Sequence, residues 1–358
     1  MRYLFFDIEC SDGTHICTFG YVLTDSNFNV LDKQDLLINP EAPFNVGNRA
    51  FDRKITLAYP PSVFRRQPTF AERYDEIHVL LTAEDTLVCG HAVENDVGFL
   101  LTACRRYGLD LPGFRYVDSQ KLYRKAKGDA NDKALEKIME ELQVEGGTLH
   151  KSDDDALCSM LTVRALCAEK QCAFESLIRG DAESVGDSGA FAARWLQARR
   201  LNRYRKICQN LRYAVNPPDS AVKGKYFAFS EEIERVYCGK LVSAVRILTE
   251  LGGRWRGNIY RLHYFVRGAE PGKRLRKVEA INREHPHEKI EIITLQRFLA
   301  MIGIDWGALE EEDLDTDLLP TRTGKPLEAT LKDAVRRAPK LQKPKSSRPK
   351  KEEPDQSI

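Results

Sequence analysis

Two carboxylates close the first apolar stretch of the chain. Asp7 and Glu9 come directly after the run YLFF, which reads as a buried strand. Alternate side chains of a strand share a face, so both carboxylates emerge side by side. Two adjacent like charges raise each other's pKa unless a cation lies between them, and a hard divalent cation prefers such oxygen ligands. The pattern therefore indicates a metal site, and the alternative is a strand that simply ends in solvent.

Two later segments add acids in a similar context. The segment GHAVENDVGFL follows an apolar strand, turns, and opens a helix that carries Asp96. The segment HKSDDDAL places His150 just before a helix and Asp155 within its first turns. Favourable helix-dipole charge accounts for Asp153 and Asp154. It does not explain a histidine five positions before the third aspartate.

Taken in order, these residues resemble the DEDDh exonucleases. These are DnaQ-like nucleases of the RNase H fold, and they include the proofreading epsilon subunit of bacterial DNA polymerase III. The resemblance covers residues 1 to about 170. The positions that match the three family motifs are Asp7, Glu9, Asp96, His150 and Asp155.

The resemblance implies a reaction with two divalent metal ions, Mg²⁺ or Mn²⁺. Asp7 would bridge both ions, Glu9 and Asp155 would complete the site of the attacking water, and Asp96 would support the second ion. Neutral His150 would take the proton of that water near neutral pH. The alternative for His150 is a polar cap on the helix.

Two motif positions depart from the family pattern. Cys10 and Ser11 follow Glu9, where the family often has a threonine near the terminal nucleotide. Asn95 precedes Asp96, where an aromatic residue is common. The family also contains exoribonucleases, and these residues do not separate DNA from RNA.

The flanking sequence predicts an α/β fold with a mixed sheet flanked by helices. Three strands without intervening helices indicate an antiparallel meander, and later strands alternate with helices. The predicted strands are 2–8, 18–25, 29–38, 86–92 and 114–120. The predicted helices are 70–82, 94–107, 132–143 and 153–168, and the proline-rich stretch 40–68 is predicted to be a loop insertion.

Composition indicates a water-soluble chain in a reducing compartment. Hydrophobic residues make up 42% of the 358 residues, and the net charge is +2. Nine cysteines form no CxxC pair and no zinc-type spacing, which favours free thiols. Asp7 and Glu9 interrupt the first apolar run, which argues against a signal peptide, and no stretch approaches the length of a membrane span. We therefore expect a cytoplasmic protein.

A basic amphipathic segment follows the first domain. Residues 188–218 contain seven Arg or Lys and no acid, with apolar residues at helical spacing. This segment predicts a helix whose cations hold a nucleic-acid backbone, or alternatively a helix with a solvated basic face. The candidate backbone contacts are Arg199, Arg200, Arg203 and Lys206.

Residues 222–305 resemble a BRCT domain. The matching motifs are GKYFAFS, LTELGGRW, YFVRG and GKRLRKVEAI, followed by IEIITLQRFLAMIG. The resemblance implies a small parallel sheet and a phosphate pocket at Ser230 and Lys277, although Glu231 stands where the family has glycine. A net charge of +6 in this stretch favours an anionic partner. Docking of a protein without phosphate is the alternative.

The sequence thus predicts four parts and one main function. The parts are an exonuclease domain (1–172), a basic helical linker (173–220), a BRCT domain (221–305) and an acidic, then Lys/Pro-rich disordered tail (306–358). The predicted function is metal-dependent 3′→5′ hydrolysis of single-stranded or frayed DNA ends, releasing nucleoside 5′-monophosphates. The BRCT domain would recruit a protein, a phosphorylated partner or a DNA end in repair or replication. The alternatives are an exoribonuclease and a catalytically silent BRCT scaffold.

Overall fold

The first sheet contains six strands in the order β3-β2-β1-β4-β5-β6. The computed structural model describes residues 1–45, 57–147 and 150–315. The strands are β1 (Arg2–Cys10), β2 (Ile16–Asp25), β3 (Val30–Leu37), β4 (Thr86–Gly90), β5 (Arg115–Asp118) and β6 (Val185–Asp187). β1, β2 and β3 pair antiparallel, β4 and β5 continue parallel to β1, and β6 returns antiparallel. The predicted meander and mixed sheet are confirmed.

Helices cover both faces of this sheet. They are α1 (Pro61–Phe64), α2 (Phe70–Thr82), α3 (Glu94–Tyr107), α4 (Ser119–Lys127), α5 (Leu135–Leu142), α6 (Ser152–Lys170), α7 (Phe174–Ile178) and α8 (Ser188–Asn210). The predicted helices 70–82 and 94–107 agree with α2 and α3 at both ends. The short helices α4 and α7 were not predicted from the sequence. The predicted loop insertion contains α1, and its residues 46–56 lie outside the described residues.

The alternation of β1 divides the core between the two faces. Leu4, Phe6 and Ile8 pack with residues of α2 and α3 on one face. Tyr3 and Phe5 pack with residues of α4 to α7 on the other. A continuous apolar run is typical of a strand that is covered on both sides. The same parity directs the next odd-numbered side chains of β1 toward the α6 face.

The second sheet is parallel, as predicted. Its order is β10-β9-β7-β8, with β7 (Tyr226–Phe229), β8 (Arg254–Trp255), β9 (Tyr264–Arg267) and β10 (Glu291–Thr294). Its helices are α9 (Glu231–Glu250), α10 (Lys273–Glu284) and α11 (Leu295–Ile302). The first of these helices begins at Glu231 because Ser230 caps it, and its backbone kinks at Tyr237.

Two predicted boundaries differ from the structure. The first sheet continues past residue 172, because β6 pairs with β5. The predicted disordered tail does not begin at 306, because Leu309 and Leu314 are only 4% and 1% exposed in the core of the second sheet. A short 3₁₀ helix (Trp306–Ala308) begins this segment. The rest of the predicted tail, 316–358, lies outside the described residues.

Helix α8 belongs to both cores. Phe191 and Trp195, near its start, pack in the core of the first sheet. Tyr204 and Cys208, further along, are buried in the core of the second. The predicted linker helix is therefore a shared structural element rather than a free connection. Within the three described ranges, no helix is both long and apolar enough to cross a membrane.

Candidate active site

The end of β1 supplies the first two carboxylates. Asp7 and Glu9 extend the row of Tyr3 and Phe5, so both lie on the face covered by α6. Burial raises the pKa of Asp7 well above its usual value, and the nearby Asp96 raises it further. Burial also raises the pKa of Glu9, and the neighbouring imidazole of His150 opposes this rise. These carboxylates cannot all carry charge without a counter-ion.

The start of α3 supplies the third carboxylate. Asp96 lies in the first turn of α3 and is 4% exposed. Its Oδ1 accepts a hydrogen bond from the backbone N–H of Ile8, between the two acids of β1, at 3.1 Å. This bond fixes α3 against the end of β1. Burial still raises the pKa of Asp96 well above its usual value, against the effect of the Ile8 donor.

Gly20 lets the start of α6 approach the sheet. Gly20 pairs with Asp7 in the register of β1 and β2. A Cβ at residue 20 would lie 2.0 Å from the backbone nitrogen of Asp153, so only glycine leaves room for this helix end. The hydroxyl of Ser152 bonds to Thr18 and to Asp35 and ties the helix end to the neighbouring strands. The role of Gly20 was not predicted, although a glycine inside a strand indicates a close backbone approach.

The loop before α6 supplies the histidine, and the helix supplies the fourth carboxylate. His150 is exposed and has a left-handed backbone, with φ of 66°. Its N–H donates to Oδ2 of Asp155 at 3.0 Å. Burial, and then the charge of Glu9, raise the pKa of Asp155 to about 7. Ligand atoms of Glu9, His150 and Asp155 all lie within 4.8 Å of one another.

The donor set fits a hard divalent cation. A carboxylate with a raised pKa is unstable in its charged form, so a bound cation stabilises it more than it stabilises an ordinary carboxylate. The tightest group, Glu9, His150 and Asp155, includes the imidazole that the sequence analysis assigned as a base. Asp7 lies close to this group and to Asp96, because the charges of Asp96, Asp155 and Glu9 all raise its pKa. The structure thus brings the five predicted residues to one end of β1, although their individual roles stay predictions.

Asp35 is a further acid at this site that the sequence analysis missed. Gly20 pairs with both Asp7 and Asp35, so the three residues form one row across β1, β2 and β3. Asp35 accepts a hydrogen bond from Ser152 at 2.9 Å and raises the pKa of both Asp7 and Glu9. Tyr59 lines the same crevice as Asp35 and Glu9, so the described end of the 40–68 insertion lies beside the site.

The candidate backbone cations on α8 have contacts within the chain. The guanidinium of Arg199 lies 4.4 Å from the ring centroid of Trp195. Arg200 lies near Glu311 and Asp315, at 3.8 and 3.9 Å. Arg203 and Lys206 also have interaction partners. Nucleic-acid contact by these four residues stays a prediction, and the structure adds a packing role for the first two.

Some residues of the predicted phosphate pocket already form hydrogen bonds or ion pairs within the chain. Ser230 is buried, and its hydroxyl accepts hydrogen bonds from the backbone N–H groups of Ile233 and Gly268. Lys277 is exposed on α10. Glu231 forms an ion pair with Arg274 at 3.7 Å. Phosphate binding by Ser230 and Lys277 stays a prediction.

The comparisons with known proteins match the first part of the chain. Residues 4–162 match the RNase_T family model, which is described as exonuclease. A structure of exonuclease I aligns at 16% identity and a TM-score of 0.41, over 50% of this chain and 42% of that one. The zinc-bound complex of E. coli exonuclease I with single-stranded DNA aligns at 16% identity and 0.39, over 50% and 43%. Exonuclease X with 5′-overhanging duplex DNA aligns at 13% identity and 0.37, over 49% and 96%.

These matches cover only part of each protein. This chain spans less than half the length of the exonuclease I chains that it matches. No curated protein matches the chain. The family model ends within α6, just after the last of the predicted acids. Residues 4–162 therefore form an exonuclease domain, and the exonuclease activity of the whole chain stays a prediction.

Proposed function

We propose that this chain removes nucleotides one at a time from the 3′ ends of single-stranded or frayed DNA. One observation carries the proposal: Asp7, Glu9, Asp96, His150 and Asp155 converge at the end of β1, within the matched exonuclease domain. The products would be nucleoside 5′-monophosphates. DNA is preferred to RNA in this proposal because of the accompanying BRCT-like unit.

The reaction depends on charge at the end of β1. When bound, two divalent ions stabilise the attacking and leaving oxygens of a phosphodiester. Asp7 would hold both ions, Glu9 and Asp155 would hold the one on the water side, and Asp96 would support the other. His150 would accept the proton of the attacking water as a neutral imidazole. Its place on an exposed loop suits this task, because a strand end must enter and leave.

The backbone around these side chains orients them. The Ile8 N–H holds Asp96, and the His150 N–H holds Asp155. Gly20 allows the start of α6 to lie against the sheet. Residues held by such contacts need little rearrangement when substrate binds, which is how positioning lowers a barrier.

The unit 221–305 belongs to the proposal as a BRCT domain that recruits the exonuclease to a protein, a phosphorylated partner or a DNA end. Its support is the parallel four-stranded sheet and the helix-ending pair Gly252–Gly253, of which Gly252 has φ of 81°. A role in repair or replication follows from such recruitment. A cytoplasmic location is also proposed, since all nine cysteines are free thiols.

The test uses strands labelled at either end, of DNA and of RNA, with Mg²⁺ or Mn²⁺. We expect the 5′-labelled DNA to give a ladder that shortens from the 3′ end. Asp155→Asn should abolish this ladder, and His150→Ala should weaken it by about 10²–10⁴-fold, the usual contribution of a general base. Asp154→Asn is the matched control, because it removes the adjacent acid, which pairs with Lys33.

Three results would contradict the proposal. One is digestion that survives in Asp155→Asn, and another is release of label from the 5′ end first. Faster digestion of RNA than of DNA would keep the chemistry and overturn the choice of substrate.

A further inference from the structure

A stack of arginine and aromatic side chains lies at one edge of the second sheet. We name it the arginine–aromatic stack, and it consists of Tyr213, Tyr226, Arg254, Arg256 and His263. Tyr226 and Arg254 are the first residues of β7 and β8, and His263 directly precedes β9. These strands are parallel, so their amino ends meet at one edge. Chain segments far apart in sequence thus build a single surface.

The members of the stack contact one another at their aromatic rings. The guanidinium of Arg254 lies 4.9 Å from the ring centroid of Tyr213 and 5.7 Å from that of Tyr226. Arg256 lies 4.3 Å from the centroid of Tyr226. The rings of Tyr226 and His263 lie 5.7 Å apart and only 15° from parallel. A guanidinium within about 6 Å of the centroid of an aromatic ring is attracted to the face of that ring.

The cations of the stack lack the acidic partners that other arginines of this part of the chain have. Among the described residues, no carboxylate lies within ion-pair distance of Arg254 or Arg256. The paired arginines nearby are Arg200, Arg205, Arg246 and Arg274. Lys225 adds positive charge at the same edge. Burial lowers the pKa of His263, and the charge of Lys225 lowers it further. The surface therefore carries positive charge that no acid of the described ranges neutralises by an ion pair.

The two ends of the stack are open. Tyr213 is 44% exposed, and His263 is also exposed. Each has one stacking partner within the group, Arg254 for Tyr213 and Tyr226 for His263. The stack lies at the amino ends of the strands, whereas Ser230 follows the carboxyl end of β7. It is therefore separate from the predicted phosphate pocket.

We propose that the arginine–aromatic stack binds single-stranded nucleic acid. Proteins that bind single strands without sequence preference combine unpaired cations for the phosphates with aromatic rings on which bases stack. Both groups are present here, side by side and partly exposed. A duplex hides its base faces, so rings of this kind favour an unpaired strand. This second contact goes beyond the proposed exonuclease reaction, because it lies outside the matched domain.

The test measures binding of the full chain to a fluorescent, covalently closed circle of single-stranded DNA, without divalent ions. A circle has no 3′ end, so the active site has no end to hold. We expect Tyr213→Ala and Arg254→Gln each to weaken binding about tenfold, since one stacked base contributes on that order. Tyr213→Phe keeps the ring and should bind like the original chain. Arg254→Gln should also reduce the salt dependence by about 0.7 in the log–log slope.

The matched control is Arg276→Gln on α10. Arg276 is exposed and lies outside the stack, so its loss removes the same charge without a stacking partner. We expect less than a twofold effect. An equal loss in Arg276→Gln and Arg254→Gln would overturn the proposal in favour of diffuse charge. Displacement of the circle by polyglutamate at equal charge concentration would overturn the proposal in favour of a general acidic partner. Absence of binding by the original chain would overturn it outright.

Two further measurements separate this proposal from the exonuclease reaction. Digestion of a tetranucleotide, which is too short to reach a second contact, should be equal in the original chain and in Arg254→Gln. If the exonuclease proposal fails, the original chain will not digest the tetranucleotide but will still bind the circle. Melting temperatures within about 2 °C of the original would show that the variants fold and keep the stability of the original chain.

Discussion

The close approach of α6 to Gly20 gives the sharpest prediction for the active site. A Cβ at residue 20 would lie 2.0 Å from the nitrogen of Asp153 and 2.1 Å from the carbonyl carbon of Ser152. Both atoms belong to the backbone, so no side-chain rotation relieves the contact. Ordinary contact begins at 3.4 Å, so Gly20→Ala must separate the helix end from β2 by about 1.4 Å.

The magnitude follows from what this helix end carries. Asp155 lies two residues after Asp153, and its carboxylate is held by the N–H of His150. A displacement of about 1 Å at a reacting group costs about 100-fold in rate. Extra volume in a packed interior typically costs about 1–3 kcal/mol of folding free energy. We therefore expect Gly20→Ala to lower kcat at least 100-fold while the chain still folds.

The assay is digestion of labelled single-stranded DNA at saturating substrate, together with urea unfolding. Gly113→Ala is the matched control, because a Cβ there meets nothing within 4 Å and its φ is not in the left-handed region. It should keep both the rate and the stability. Gly20→Ala with a normal kcat would refute the reasoning, because α6 could then move away from the sheet without disturbing the site. An unfolded Gly20→Ala variant would refute the expected magnitude of about 1–3 kcal/mol.

Three other predictions follow from single contacts. The pKa of Asp155 in the folded chain is about 7, above its value in the unfolded chain. The free energy of unfolding of the metal-free chain should therefore fall as pH rises from about 4 to about 7. Urea unfolding of Asp155→Asn should show a smaller fall. Glu234 is fully buried between Arg205 and Arg274, at 2.7 and 3.1 Å, so Glu234→Ala should cost about 3–5 kcal/mol in the same assay. Ala92 has φ of 52°, so Ala92→Gly should raise the free energy of unfolding by about 0.5–1 kcal/mol, and a loss would contradict this.

The secondary-structure positions of the four acids could be predicted from local patterns, whereas their common role was implied by the resemblance and stays a prediction. Asp7 and Glu9 share a face by strand parity, and Asp96 and Asp155 each lie in the first turn of a helix. Local periodicity also placed α2 and α3. A short polar helix such as α4 gives no such signal, because it depends on the cap by Asp118 and on the sheet below.

A glycine inside a strand indicates that another backbone approaches Gly20 closely, but which one does so, and the role of Asp35, could not be predicted because both depend on register. Neither residue lies near Asp7 in sequence, and only the pairing of β1, β2 and β3 places the three in one row. The acidic neighbours of Arg200 could not be predicted for a similar reason. Its acidic neighbours, Glu311 and Asp315, lie more than 100 positions away, so a charge count along α8 finds no partner for it.

Helix α8 determines how the two halves of the chain can act together. Its 23 residues form one helix, about 35 Å long at 1.5 Å per residue, which begins in the first core and ends in the second. The ion pair of Arg205 with the buried Glu234 holds its second half against α9. A strand bound at the arginine–aromatic stack would therefore be presented to the active site from a fixed position, and not from a flexible tether. Rigid presentation raises the effective concentration of a strand end only where the strand is long enough to reach both sites. The advantage of the stack should thus appear abruptly as substrate length increases, and a smooth rise would indicate that the two halves move independently.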